Sequence, residues 1–215
     1  MEFFTLIIDF VLHVDRYLQM LTENYGAWVY GILFLIVFCE TGLVITPFLP
    51  GDSLLFVAGT LAGAALLDPV LLSAVLIAAA ILGDSLNYAI GRKVGPAIYK
   101  RPDSRFIKQA HLQKTQQFFE KHGGKTIIIA RFVPIIRTFA PFVAGIGSMN
   151  YRRFLAYNVI GGIVWVVSLV TAGYWLGKIA WVKTNLSLVL LGIIILSIMP
   201  IIIEYWRNKR QAKVG

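Results

Sequence analysis

Five ionisable residues stand in stretches too apolar to solvate them. They are Glu40 in FCETG, Asp52 in PGDSL, Asp84 in GDSLNYAIG, and Arg131 and Arg137 in ARFVPIIRTFAP. A lone charge at mid-bilayer depth costs about 2.5–3.5 kcal/mol on insertion scales. Such groups must therefore pair, become neutral or line a wet cavity. Guanidinium forks match phosphate oxygens bidentately, and carboxyls can exchange protons. The set therefore suits anion capture coupled to proton exchange: Arg131 and Arg137 as the phosphate-binding pair, Glu40, Asp52 and Asp84 as the proton and substrate pathway.

Each residue also admits a plainer role. Asp52, next to Ser53 and after Pro50-Gly51, can cap a helix. Glu40 can be the structural partner of an arginine, and Asp84 can pair or cap within a bundle. Arg131 and Arg137 can snorkel to an interface.

Other chemistries find little support. Cys39 is the single cysteine, so there is no disulfide framework and no cysteine metal site. His13, His111 and His122 have no ligand spacing, and Gly145-Ile146-Gly147 has no βαβ unit around it. No metal, cofactor, nucleotide or Ser-His-Asp set is expected, and the chain reads as a transporter rather than an enzyme.

The elements that must position these residues are membrane elements. Of 215 residues, 58% are hydrophobic and only 14% charged, where a soluble domain carries roughly a quarter charged. Apolar segments run 26–45, 53–66, 69–91, 126–148, 154–177 and 186–206. The 53–66 stretch is too short to span comfortably, and 126–148 is interrupted by Arg131, Pro134, Arg137 and Pro141. Both read as parts of re-entrant hairpins, broken at Pro47, Pro50 and Gly51 in the first and at Pro134 and Pro141 in the second. Residues 1–25 read as a retained N-terminal interfacial helix rather than a cleaved signal.

Charge orients the chain. Up to Gly91 there are eight acidic residues and one basic one; from Arg92 onward there are nineteen basic and three acidic. The basic residues gather in the loop 92–125 and the tail 207–215, which the positive-inside rule assigns to the cytoplasm. That rule accounts for the +9 net charge more simply than nucleic acid does. Asp103 and Ser104 can start a loop helix running to about Lys121, stopped by Gly123-Gly124.

The chain also repeats itself. FVAG occurs at 56–59 and 142–145, and NYAIG at 87–91 matches GYWLG at 173–177, both at an offset of 86. The halves, about 26–91 and 126–177, then run in opposite directions, an arrangement transporters use around a midplane site. The expectation is an all-α polytopic membrane protein. It is an inverted repeat with two opposed re-entrant hairpins, transmembrane helices and interfacial amphipathic helices, its membrane domain covering 26–206. The hairpin tips would set Glu40 and Asp52 opposite Arg131 and Arg137.

FCETGLVITPFLPGDSLLFVAG, GDSLNYAIGRKVG, KHGGKTIIIARFVPIIRTFAPFVAG and YNVIGGIVWV together resemble the DedA family of bacterial inner-membrane proteins, part of the VTT-domain superfamily. The resemblance runs from about Tyr25 to the tail. It implies movement of a phosphate-bearing lipid, such as undecaprenyl phosphate or a phospholipid, between leaflets, and a link to the proton motive force. It also implies an inner-membrane location and membrane roles for Glu40, Asp52, Arg131 and Arg137. Membrane lipids and protons are the partners expected, and a homo-oligomer is compatible with them. Two alternatives stand beside it: a proton-coupled small-ion or solute antiporter, and a non-transporting envelope scaffold.

Overall fold

In the computed structural model, residues 26–43, 51–98, 109–147, 149–185, 188–189 and 192 are described. The N-terminal helix expected over 1–25, Pro47, Pro50, most of the segment 186–206 and the basic tail lie outside them. The described residues are helical: α1 (Trp28–Gly42), α2 (Gly51–Gly63), α3 (Pro69–Ile98), α4 (Gln109–His122), a 3-10 turn (Gly123–Lys125), α5 (Thr126–Ala130), α6 (Pro134–Ile146), α7 (Tyr151–Gly177) and α8 (Ala180–Thr184).

Among the described residues, two helices are long and apolar enough to cross a bilayer: Pro69–Val94 of α3 and Tyr151–Gly177. Only 33% and 39% of their most apolar stretches are buried. Leu82, Leu86, Ile160 and Val164 stand exposed along them, as suits a lipid-facing surface rather than a soluble core. By contrast α1, α2 and α6 have 15, 13 and 13 residues. At about 1.5 Å per residue a 13-residue helix reaches about 20 Å, short of a bilayer core of about 30 Å.

Local chemistry sets the ends. Asp68 Oδ1 accepts the Leu71 N–H at 2.7 Å, capping α3 ahead of Pro69. Asn150 Oδ1 does the same for α7, accepting from Arg152 N at 3.0 Å. Gly123, at φ +59, ends α4 in the left-handed turn that glycine favours. Pro134 forces Val133 into an extended conformation (φ −117, ψ 106), so α5 and α6 are separate helices joined at Arg131–Val133. Pro141, expected to break the hairpin, lies inside α6 instead. The chain breaks once here, where the proline can open a helix without losing an intrahelical bond. Helix α3 continues past the expected end at Gly91 to Ile98, and the loop helix is described from Gln109 to His122.

The chain divides into two compact units, residues 1–29, 50–72 and 169–215 in one, 30–49 and 73–168 in the other. Each draws on both halves of the sequence repeat, and each contains a close helix crossing built from the repeated motifs. In the first, a Cβ on Gly173 would lie 2.1 Å from the Phe56 carbonyl oxygen, and one on Gly59 would lie 2.3 Å from that of Val170. In the second, a Cβ on Gly91 would lie 2.2 Å from the Phe142 oxygen, and one on Gly145 would lie 2.2 Å from that of Tyr88. So the FVAG of each half packs on the helix that carries the Tyr-Gly motif of the other. The repeated motifs are the two partners of one backbone-to-backbone contact, which needs glycine on both sides.

Candidate functional site

The second unit builds a charged cluster from four elements. Glu40 sits near the end of α1, which crosses α3 so closely that a Cβ on Gly83 would meet Thr41 Oγ1 at 1.9 Å. That crossing brings Glu40 toward Asp84, one residue further along α3. The break before Pro134 lets Arg131 and Arg137, six residues apart, turn to the same place. Helix α7 supplies the remaining face with Asn158, Gly161, Gly162 and Trp165.

The pairing is specific. Arg131 Nη2 donates to Asp84 Oδ2 at 2.5 Å and to Asn158 Oδ1 at 2.5 Å. Asn158 is held in turn, its Nδ2 donating to the Ile81 carbonyl at 3.0 Å. Arg137 Nη2 donates to Glu40 Oε1. Both guanidinium carbons lie 5.6 Å from the centre of the Trp165 ring, so one buried indole receives two cations through its negative face. Gly161 makes room for this: a Cβ there would press on Arg131 Cδ and Nε at 3.2 Å. Asn87 ties the elements together, its Nδ2 donating to the carbonyls of Thr41 (3.1 Å) and Thr138 (3.0 Å).

Two carboxylates and two guanidiniums leave the cluster neutral when all are ionised. The arginines are not equally enclosed: the Arg131 side chain is 6% exposed and that of Arg137 15%. Between them lies a cavity of about 20 Å³ lined by Glu40, Thr41, Asp84, Arg131, Arg137, Thr138 and Trp165. That is room for about one water. Arg131 Nε and Asn87 Oδ1 are buried without a protein partner among the described residues, and buried polar atoms ordinarily have one. The cluster therefore has capacity for a further polar group.

Four of the five residues expected from sequence come together here. Asp52 belongs to the other compact unit, exposed in the first turn of α2. That helix begins at Gly51, so Asp52 stands just inside it, where a carboxylate still complements the helix dipole. The acid that holds Arg131 is Asp84, not Asp52. Sequence reasoning assigned no role to Asn87, Asn158 or Trp165. The signal for the asparagines was present, since each is an amide inside an apolar span and must find a partner there.

Comparison with known proteins gives a consistent result. The VTT domain family model matches residues 49–175. The chain is 56% identical over 214 residues to Protein DedA of Escherichia coli (strain K12), covering 99% of this chain and 98% of that one. It is 45% identical over 176 residues to Uncharacterized membrane protein ML0287 of Mycobacterium leprae, covering 82% and 79%. Inner membrane protein YqjA of Escherichia coli (strain K12) is 36% identical over 149 residues, covering 69% and 68%. No solved structure matches.

Proposed function

This chain belongs to the VTT-domain, or DedA, family of membrane proteins, and we propose that it carries a phosphate-bearing lipid between the leaflets of the inner membrane. One observation carries the reading: two guanidiniums from a single broken segment converge on one indole ring, each paired with a buried carboxylate. A phosphate arriving at Arg137 displaces Glu40, which takes up a proton and stays buried as a neutral acid. The cluster keeps its net charge through the exchange, so no uncompensated ion is left in low dielectric. Arg131, fixed by Asp84 and Asn158, supplies a second fork that does not move. Lipid tails remain in the bilayer throughout.

The short helices α2 and α6, each too short to span, support this reading as the inner arms of two re-entrant hairpins. A phosphate group is larger than the present cavity, so the cycle includes an opening step between the elements that carry Glu40 and Arg137. The same small volume favours a second reading. A site for one water between two acids suits proton or small-cation exchange without opening.

Lipid flipping in proteoliposomes separates the two. With a fluorescent polyprenyl phosphate or phospholipid, wild-type protein is expected to accelerate transfer. Arg137→Lys should slow it at least tenfold, because an ammonium lacks the planar fork. Unchanged flipping by Arg137→Lys would remove the phosphate-binding role. Proton-linked ion flux without lipid movement would establish the antiporter instead.

A further inference from the structure

A second, larger cavity shares no lining residue with the ion-pair cluster. Its volume is about 330 Å³, within the range of small-ligand pockets. Phe119 of α4, Val143 and Ala144 of α6 and Met149 make its apolar wall, while Gln116 and Arg153 carry its polar groups. The Gly123-Gly124 turn closes another side. It is held there because Gly124 lies flat on Tyr157, where an added Cβ would stand 2.6 Å from the ring.

Its surroundings are basic. Lys121, Lys125 and Arg152 are exposed and lie within two positions of lining residues in sequence, and Glu120 is the one acid between Gln109 and Tyr157. A cavity with a cation at its edge and hydrocarbon at its wall complements an amphiphile better than a free ion. We propose that this cavity is a docking site for the headgroup of an anionic phospholipid: Arg153 meets the phosphate, Gln116 bonds the headgroup, and Phe119, Val143 and Met149 pack on the first acyl carbons. The proposal rests on the lipid-translocase reading, within which the cavity gathers headgroups on the face that the basic residues assign to the cytoplasm.

The test must separate a built site from the general attraction of a basic surface for anionic lipid. Detergent-solubilised full-length protein is titrated with short-chain phosphatidylglycerol. Inorganic phosphate and short-chain phosphatidylcholine serve as comparators. Phosphatidylglycerol should bind more tightly than either. Arg153→Gln and the rim-filling Gln116→Trp should each weaken it about tenfold or more, while Lys121→Gln with Lys125→Gln should weaken it less than about threefold. All four positions are exposed in the fold, so the substitutions leave its core intact. Wild-type affinity in Arg153→Gln would overturn the proposal. So would an equal loss in the double lysine variant, or inorganic phosphate competing at the same concentration as the lipid. Should wild-type protein flip no lipid in proteoliposomes yet bind phosphatidylglycerol in this Arg153-dependent way, the translocase reading falls and the docking site stands.

Discussion

Asp84→Asn should be among the most damaging single substitutions in the charged cluster, although it changes one atom. Asp84 and Arg131 are 7% and 6% exposed, so removing the carboxylate charge strands a guanidinium almost wholly shielded from bulk water. Losing one member of a buried pair costs about 3–5 kcal/mol. The lower figure applies here, because Asn158 Oδ1 and the Trp165 face still touch Arg131. Taking about 2–4 °C per kcal/mol for a chain of this length, the melting midpoint in detergent falls by about 6–12 °C. The reverse change, Arg131→Gln, should be milder. A stranded carboxyl can accept a proton and become neutral, whereas a guanidinium remains charged. The double variant removes both charges and should recover most of the loss, giving a coupling of about 2–3 kcal/mol in a double-mutant cycle. The assay is thermal unfolding of the four proteins under one detergent and pH. A coupling below about 0.5 kcal/mol, or Arg131→Gln proving worse than Asp84→Asn, would refute the claim that Asp84 neutralises Arg131.

Three further outcomes are expected. If Asp52 acts only through the dipole and backbone at the start of α2, Asp52→Asn keeps most transport; abolished flipping with normal insertion would instead give that carboxyl a proton-exchanging role. In a Cys39→Ala background, Lys121→Cys should react with an impermeant thiol reagent only from the cytoplasm and Thr184→Cys only from outside; periplasmic labelling at position 121 would overturn the inverted topology. Gly91→Ala and Gly177→Ala place a methyl 2.2 and 2.1 Å from the Phe142 and Thr60 carbonyl oxygens, and each should cost about 1–3 kcal/mol of stability. Gly31→Ala, with nothing within 4 Å of the new methyl, should be neutral in the same melts.

Much of the fold was legible because its signals are local. Apolar length gives α3 and α7, and the Pro134 break follows from the steric restriction on the residue before proline. The Gly123 turn follows from the left-handed conformation that glycine adopts. Pro141 misled because proline is only a statistical helix breaker: within α6 its missing N–H is absorbed without dividing the helix. The repeat offset was visible, but its meaning was not. Two matching tetrapeptides say that segments are alike, and only packing reveals that each glycine lies against a backbone carbonyl of the other half.

The site was legible as a set of residues and illegible as a set of pairs. Counting buried charges identifies Glu40, Asp84, Arg131 and Arg137, because each must be compensated. Choosing partners depends on where helices cross, and the α1–α3 contact at Gly83 is a tertiary fact with no charge in it. The two arginines also differ in how they are held. Arg131 lies against Gly161, between Asp84 and Asn158, and cannot leave without stranding both. Arg137 keeps 15% of its side chain exposed and meets Glu40, an acid that can become neutral by taking a proton. An exchange that keeps the cluster neutral is therefore easiest at Arg137, the less enclosed of the two arginines.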